Sequence, residues 1–353
     1  MKKTIIISAG GTGGHIFPAL AVTKQLQKYY NIIWVGGKKG LENTIVPAND
    51  IPLYTVSILG VRGNGFLRKL FLPIMLLNTL IECFKIIIKH KPVAVIGFGG
   101  YATFPICLSA KLLGKKVMVQ EQNSIMGLTN KLTSKFANKV FTAFPNVCDS
   151  SKVLMLGNPV RQEIVSAYNA NKYSEVNKLR VLIVGGSLGA KVLNETVPQA
   201  LSLVKDKLST ITHQVGRGNK EEIENTYHAN GLTDEVSVVN FIDDMAKAFG
   251  EHDLIICRAG ASTVAEVACA GIVPIFIPYP HAVDDHQTGN ARYLVDNHAG
   301  FLLPQSKLTA ESLSNIINDL TKDSLIEMSN NLYKLAKTDS TEQIVAEIRK
   351  IVD

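Results

Sequence analysis

The chain has 353 residues, 46% of them hydrophobic and 19% charged, which is too long for one ordinary core and too apolar for disorder. Its net charge of +7 is uneven: residues 1–160 carry 19 Lys and Arg against 5 Asp and Glu, and residues 161–353 carry 18 against 25. The first half therefore calls for an anionic partner, a membrane surface or a phosphorylated substrate before a nucleic acid, since no nucleic-acid-binding motif accompanies the basic residues.

The apolar run Thr4–Ser8 is too short for a signal peptide and reads as a first strand. Gly10-Gly11-Thr12-Gly13-Gly14-His15 follows, then a helical stretch near Pro18–Tyr29 and a second strand at Asn31–Val35. The loop is not a P-loop, because no Gly-Lys-Ser/Thr follows it. It is a poor dinucleotide fingerprint too: Ile16 stands at the third glycine position, and Val35-Gly36-Gly37-Lys38 offers no acid to a ribose. Glycine N–H groups at a helix N-terminus suit a diphosphate. His15 beside them is a candidate general base, with helix capping as the plainer alternative.

Phe66–Lys91 is the next distinctive stretch. Phe66, Leu70, Ile74, Leu77, Ile81, Phe84 and Ile88 recur at helical spacing and are expected to form one buried face. Leu67, Phe71, Leu72, Met75 and Leu76 would then be exposed, bracketed by Arg62, Arg68, Lys69, Lys85, Lys89 and Lys91. An apolar patch rimmed by cations fits docking on an anionic membrane surface. A hairpin buried all round, or a dimer interface, is the competing reading. No run of about 18 apolar residues suggests a spanning helix.

Val93–Gly97, Lys116–Gln120 and Lys139–Thr142 read as further strands, and Gly157-Asn158-Pro159 as a domain boundary. The polar stretch at 169–178 is a loop. Arg180–Val184 restarts the pattern with Gly185-Gly186-Ser187-Leu188-Gly189-Ala190 and a helix from about Val192, and Ser237–Phe241, Leu254–Cys257 and Val273–Ile277 continue it. The expected fold class is α/β, two Rossmann-like doubly wound parallel-sheet domains facing across a cleft. They would span 1–160 and 161–336. A last helix at Thr341–Val352, within about 337–353, could belong to either, including by packing back on the first.

The second glycine loop also matches the nucleophile elbow of α/β-hydrolases, with Ser187 followed by Asp253 or Asp284 and then His286. Its likeness to the serine-free first loop favours phosphate binding. A third strand-to-helix opening, Cys257 to Glu266, offers Arg258 to neutralise phosphate and the Ser262 and Thr263 hydroxyls as donors. Glu266, placed in the first helical turn, could accept both ribose hydroxyls or merely face the helix dipole. Asp284-Asp285, read as side chains diverging on a helix, precede Gln287 and Asn290, amides suited to a hydroxyl-rich ligand. Cys83, Cys107, Cys148, Cys257 and Cys269 have no metal-ligand spacing and read as reduced core residues of a cytoplasmic protein. No metal and no cofactor are expected. A nucleotide-binding regulator without activity remains open on architecture alone.

Taken together, Gly10–Ala21, Gly97–Tyr101, Glu121–Asn123, Gly127–Asn130, Gly157–Arg161, Gly185–Ala190, Phe241–Met245, Arg258–Glu266 and Asp284–Asn290 resemble, in order and across both halves, the MurG family of bacterial N-acetylglucosaminyltransferases within the GT-B glycosyltransferases. The resemblance implies inverting transfer of N-acetylglucosamine from UDP-N-acetylglucosamine to the muramyl sugar of undecaprenyl-diphosphate-linked lipid I, giving lipid II in peptidoglycan synthesis. It implies a peripheral enzyme on the cytoplasmic face of the bacterial membrane. By the family pattern Arg161, Ser187, Ile242, Ala261, Ser262, Thr263, Val264, Ala265, Glu266 and Gln287 would hold the UDP-sugar, with Ile242 reading uracil through its backbone and Arg258 facing the diphosphate. Thr12, Gly13, Gly14 and Asn123 would close on the transferred sugar. On chemical grounds His15 is the candidate base for the acceptor hydroxyl, and a two-domain cleft predicts closure around Asn158–Arg161. A different UDP-sugar transferase acting on a lipid acceptor is the near alternative.

Overall fold

The protein is described by a computed structural model covering residues 2–58, 66–186 and 188–353, with backbone alone at 66–74. It divides into two compact units, Met1–Pro159 with Asp339–Asp353, and Val160–Thr338.

In the first unit β1 (Thr4–Ala9), α1 (Gly13–Leu26), β2 (Asn31–Gly37), α2 (Glu42–Ile45) and β3 (Leu53–Val56) come first. The long α3 (Phe66–His90) leads to β4 (Ala94–Gly99), α4 (Thr103–Leu112), β5 (Lys116–Glu121), α5 (Leu128–Ser134), β6 (Lys139–Thr142) and β7 (Val153–Met155). The seven strands order as β3-β2-β1-β4-β5-β6-β7, and every pairing is parallel. β1 is central and buried on both faces, which is why Ile5–Ile7 is a continuous apolar run rather than an alternating one.

The second unit opens with α6 (Gln162–Val165) and runs β8 (Leu179–Val184), α7 (Lys191–Ser202), β9 (Leu208–Gln214), α8 (Lys220–Ala229), β10 (Val236–Val239) and α9 (Met245–Glu251). It continues with β11 (Leu254–Cys257), α10 (Ala261–Ala270), β12 (Val273–Phe276), α11 (His286–Val295), β13 (Phe301–Leu302), α12 (Ala310–Asn318) and α13 (Lys322–Leu335). Its strands order as β10-β9-β8-β11-β12-β13, again all parallel. The last helix, α14 (Ser340–Val352), packs on α1 and belongs to the first unit.

Each sheet reverses its winding once, between β1 and β4 and between β8 and β11. Loops leaving the carboxyl ends of such a strand pair diverge to opposite faces and open a crevice, where ligands of doubly wound folds bind.

Three local expectations need correction. α1 begins at Gly13, not near Pro18: the ring removes one N–H but lies close enough to the helix start for the following turns to hold. α3 is turned differently from its expected orientation. It buries Thr79, Cys83 and Ile87 toward α4 and β3, while Leu77, Ile81 and Ile88 are exposed and Met75 and Leu76 half-buried. The helix is apolar on more than one face, so periodicity could not say which face its neighbours would cover. Lastly, Asp284 and Asp285 do not lie on an α-helix. Both adopt left-handed backbone (φ 55° and 51°) just before α11. The expected side chains of Phe66, Leu67, Arg68, Lys69, Leu70, Phe71, Leu72 and Ile74, and all of Arg62, lie outside the described residues.

Candidate active site

At the β1/β4 switch point of the first unit, the loop Gly10–Thr12 is pinned at three successive backbone groups. Trp34 Nε1 donates to the Ala9 carbonyl at 2.9 Å, Gly10 N donates to the Gly99 carbonyl at 3.2 Å, and Gly11 N donates to Glu42 at 3.0 Å. Gly100 has φ +90°, and a side chain there would strike the Gly10 carbonyl, so glycine is what lets the two loops touch. α1 then starts at Gly13, and its first N–H groups, at Gly13 and Gly14, have no partner within the helix. Thr12, at the N-cap, is exposed and makes no side-chain capping bond.

His15 sits half-buried in the first turn of α1. Its Nδ1 lies 2.7 Å from Gln122 Oε1, and the ring rests against Gly99, where an added Cβ would approach Nδ1 to 2.8 Å. Asn123 follows on the loop after β5. Buried Glu121 shapes that loop, accepting from Asn123 N at 3.0 Å, Gly127 N at 3.1 Å and Asn130 Nδ2 at 2.9 Å. Thr12, Gly13, Gly14 and His15 thus share one loop-to-helix turn, and Gln122, next to Asn123, joins that turn to the β5 loop.

At the β8/β11 switch point of the second unit, a cavity of about 670 Å³ opens over the carboxyl ends of the strands. Gly185, Gly186 and Gly189 form one wall, and Gly260 with Thr263 another at the N-terminus of α10. Arg258, Tyr279, Gln287 and Gln305, with Lys191 and Glu195 from the start of α7, complete the polar lining. Gly189 has φ +76°, and any side chain would collide with the Val215 carbonyl, so the loop can fold over β9 only as glycine. Ser187 lies outside the described residues.

Arg258 is a fixed cation. Nη1 donates to the carbonyls of Ile277 (3.0 Å) and Pro278 (3.1 Å), Nη2 to Gln305 Oε1 (2.8 Å), and the guanidinium stacks 5.6 Å over the Tyr279 ring. Burial lowers its pKa from the ordinary arginine value. Gln287 accepts from Tyr279 N at 2.9 Å, and its NH₂ group has no partner among the described residues. Ser262 has a buried hydroxyl with no hydrogen-bond partner among the described residues, an unmet need at a helix N-terminus.

Glu266 lies in the second turn of α10 and not the first, because the helix starts at Ala261, so the dipole reading loses its basis. Burial raises its pKa, and Arg161, 3.4 Å away, opposes that rise. Ala261 and Val264 are buried, while Ala265 is half-buried. Ile242 is half-buried on the loop after β10. Neither Ile242 nor the Arg161–Glu266 pair lines the cavity that Arg258, Thr263 and Gln287 share. No cluster of metal-ligating side chains occurs among the described residues.

Sequence reasoning missed Glu42, Gln122, Tyr279 and Gln305. The first two are buried acceptors for loop groups, and the last two hold Arg258 in place. Gln122 gave a signal by standing inside a motif already noted, and Tyr279 by following the strand end at Pro278.

Comparison with known proteins adds the context. Residues 5–142 match the glycosyltransferase family 28 N-terminal domain, and residues 180–344 match the family's C-terminal domain. A UDP-N-acetylglucosamine--N-acetylmuramyl-(pentapeptide) pyrophosphoryl-undecaprenol N-acetylglucosamine transferase from Neisseria meningitidis is 47% identical, with 97% of each chain covered. Its namesake from Dechloromonas aromatica is 44% identical over 99% of this chain and 100% of that one. Among solved structures, Acinetobacter baumannii MurG superposes with a TM-score of 0.88 at 42% identity, covering 99% of each chain.

Proposed function

The chain belongs to glycosyltransferase family 28, and from that premise we propose that it transfers N-acetylglucosamine from UDP-N-acetylglucosamine to the N-acetylmuramyl sugar of pyrophosphoryl-undecaprenol-linked lipid I. The observation that carries this reading is the glycine-walled cavity of the second unit, with a fixed arginine and a helix N-terminus directed to one volume. Such a site stabilises a leaving diphosphate with donors that need no rearrangement as charge develops. The nucleophile-elbow reading of Gly185–Gly189 gives way, since both halves of the chain match a family of glycosyl transferases.

In this scheme the second unit holds the donor through Arg161, Ser187, Ile242, Ala261–Glu266 and Gln287, with Arg258 toward the diphosphate. The first unit supplies Thr12, Gly13, Gly14 and Asn123 toward the transferred sugar, and His15 as base. The muramyl hydroxyl gives its proton to His15, its oxygen bonds the anomeric carbon, and the carbon–diphosphate bond breaks with its electron pair leaving on UDP. One displacement inverts the anomeric centre. Labelled-sugar transfer from UDP-N-acetylglucosamine to a lipid I analogue tests the activity, and no transfer by folded protein ends the proposal. His15→Ala should cut kcat by about 10²- to 10⁴-fold and leave UDP affinity intact; collapse of UDP affinity would make the histidine structural.

The acceptor's polyprenyl chain places the work at a membrane. Exposed Leu77, Ile81 and Ile88 on α3, beside exposed Lys85 and Lys89, suit peripheral docking on the anionic cytoplasmic leaflet. No helix among the described residues is long and apolar enough to cross a membrane. Leu77→Asp with Ile81→Asp should abolish binding to anionic vesicles without altering the thermal transition, and retained binding would refute this surface.

A further inference from the structure

The ring of His15 is held by a side chain whose own orientation is determined. Gln122 is 1% exposed, and its Oε1 stands 2.7 Å from His15 Nδ1. Its amide nitrogen faces three oxygens: the Phe98 carbonyl at 2.8 Å, the Gln120 carbonyl at 3.2 Å and Gln120 Oε1. Reversing the amide would set oxygen against all three. Gln120 is fixed in turn, its Nε2 donating to Asn158 Oδ1 at 3.0 Å, and Asn158 Nδ2 donates back to the Gln122 carbonyl at 3.0 Å. An amide oxygen cannot donate, so the bond to His15 requires the proton on Nδ1.

We propose that Gln122 is a positioning residue that locks neutral His15 in the Nδ1–H tautomer, so that the Nε2 lone pair is the one offered to the acceptor hydroxyl. This rests on His15 being the base. During transfer the hydroxyl proton passes to Nε2, the oxygen pair forms the bond to the anomeric carbon, and UDP leaves with the pair of the broken bond. The imidazolium that results keeps its Nδ1–H bond to Gln122 unchanged, so the lock serves both protonation states without rearrangement. A neutral amide orients the ring as a carboxylate would, but adds no charge to hold the proton once taken.

Two measurements on the full chain test this. Nitrogen-15 spectra of labelled histidine at pH 8, with the His15 signals assigned by His15→Gln, should show a proton on Nδ1 and a bare lone pair on Nε2. Gln122→Met, similar in length and at best a weak acceptor, should give mixed tautomers. It should also lower kcat by about tenfold to a hundredfold, a part of what a positioned base contributes, with KM for UDP-N-acetylglucosamine unchanged. Added to His15→Ala, Gln122→Met should cost nothing further. A wild-type spectrum with the proton on Nε2 overturns the proposal without recourse to any variant. Equal losses from Gln122→Met in both backgrounds also overturn it, since the residue would then act through the fold. If the tautomer is as expected but His15→Ala retains full turnover, the base assignment fails, and with it the catalytic use of the lock.

Discussion

Glu42 carries a carboxylate only 2% exposed, whose two oxygens accept from the N–H groups of Gly11 and Gly37 at 3.0 Å each. Gly10, Gly36 and Gly40 leave the space it occupies, since a Cβ at any of them would collide with it. The N–H of Gly11 is therefore committed to the protein, and an approaching anion in this unit would meet a carboxylate behind the loop. The first loop is in this respect unlike the second, and better suited to sugar hydroxyls than to a diphosphate at Gly11. Glu42→Gln should turn one acceptor into a donor facing an N–H, lowering stability by about 1–3 kcal/mol in urea unfolding. The acceptor kcat/KM should fall while UDP affinity, measured by calorimetry, stays put. Nothing in the sequence flagged Glu42, because the glycines around it read as turn residues and its partners lie up to 31 positions away. At Glu266 the same kind of reasoning concerns pH. Its carboxylate accepts both ribose hydroxyls best when ionised, burial raises its pKa, and Arg161 restrains the rise. Donor affinity should weaken as pH falls through that raised value. Arg161→Ala should move the loss to higher pH, and an unmoved titration between pH 8 and 5 would separate the two residues.

Among the elements, strands were the most legible. Lys139–Thr142 and Leu254–Cys257 are strands with the expected limits, because short apolar runs between turn residues in a doubly wound sheet have no other way to bury both faces. Helix starts and helix faces were less so. α3 shows why: its apolar residues outnumber the positions that α4 and β3 can cover, and only tertiary contacts decide that Cys83 and Ile87 go inside while Leu77 and Ile81 stay out. β9 holds a feature that periodicity cannot reveal. His213 is fully buried, bonds Tyr227 Oη through Nδ1 at 3.0 Å, and has no partner at Nε2 among the described residues. Burial pushes its pKa down to about 3. Above pH 6.5 the ring is neutral in both folded and unfolded chains. Below that the unfolded chain takes up a proton that the fold refuses, so stability falls by up to about 1.4 kcal/mol per pH unit until the folded pKa is reached. Buried His252, whose pKa is also lowered by burial, adds to the same trend. His213→Gln should remove about 2 kcal/mol of the loss between pH 6.5 and 5. Parallel pH curves for variant and wild type would refute the assignment.

For the whole molecule, the chain's last segment matters most, since it returns to the unit in which the chain began. Ile344, Val345 and Ile348 of α14 are buried in the core that Ile5, Ile7, Leu20 and Trp34 also form. Its edges are tied down as well: Ser340 Oγ donates to the Leu156 carbonyl at 2.6 Å, Tyr30 Oη to Asp353 at 2.6 Å, and Arg349 lies 4.1 Å over the Tyr29 ring. Burying three large aliphatic side chains contributes roughly 5–9 kcal/mol as an upper figure, comparable with the whole stability of an ordinary domain. Residues 339–353 are thus part of the first unit's fold and not a tail appended to the second. Ending the chain at Thr338 should remove hydrogen-exchange protection from β1 and β4 and abolish acceptor turnover. The second unit keeps its own core, built from β8, β9, β11, β12 and the helices between Val160 and Thr338, and it keeps the cavity at the ends of β8 and β11. The shortened chain should therefore still bind UDP with near-native affinity in calorimetry. Loss of UDP binding together with loss of β1 protection would mean that the two units fold as one, and would refute the division of labour between them.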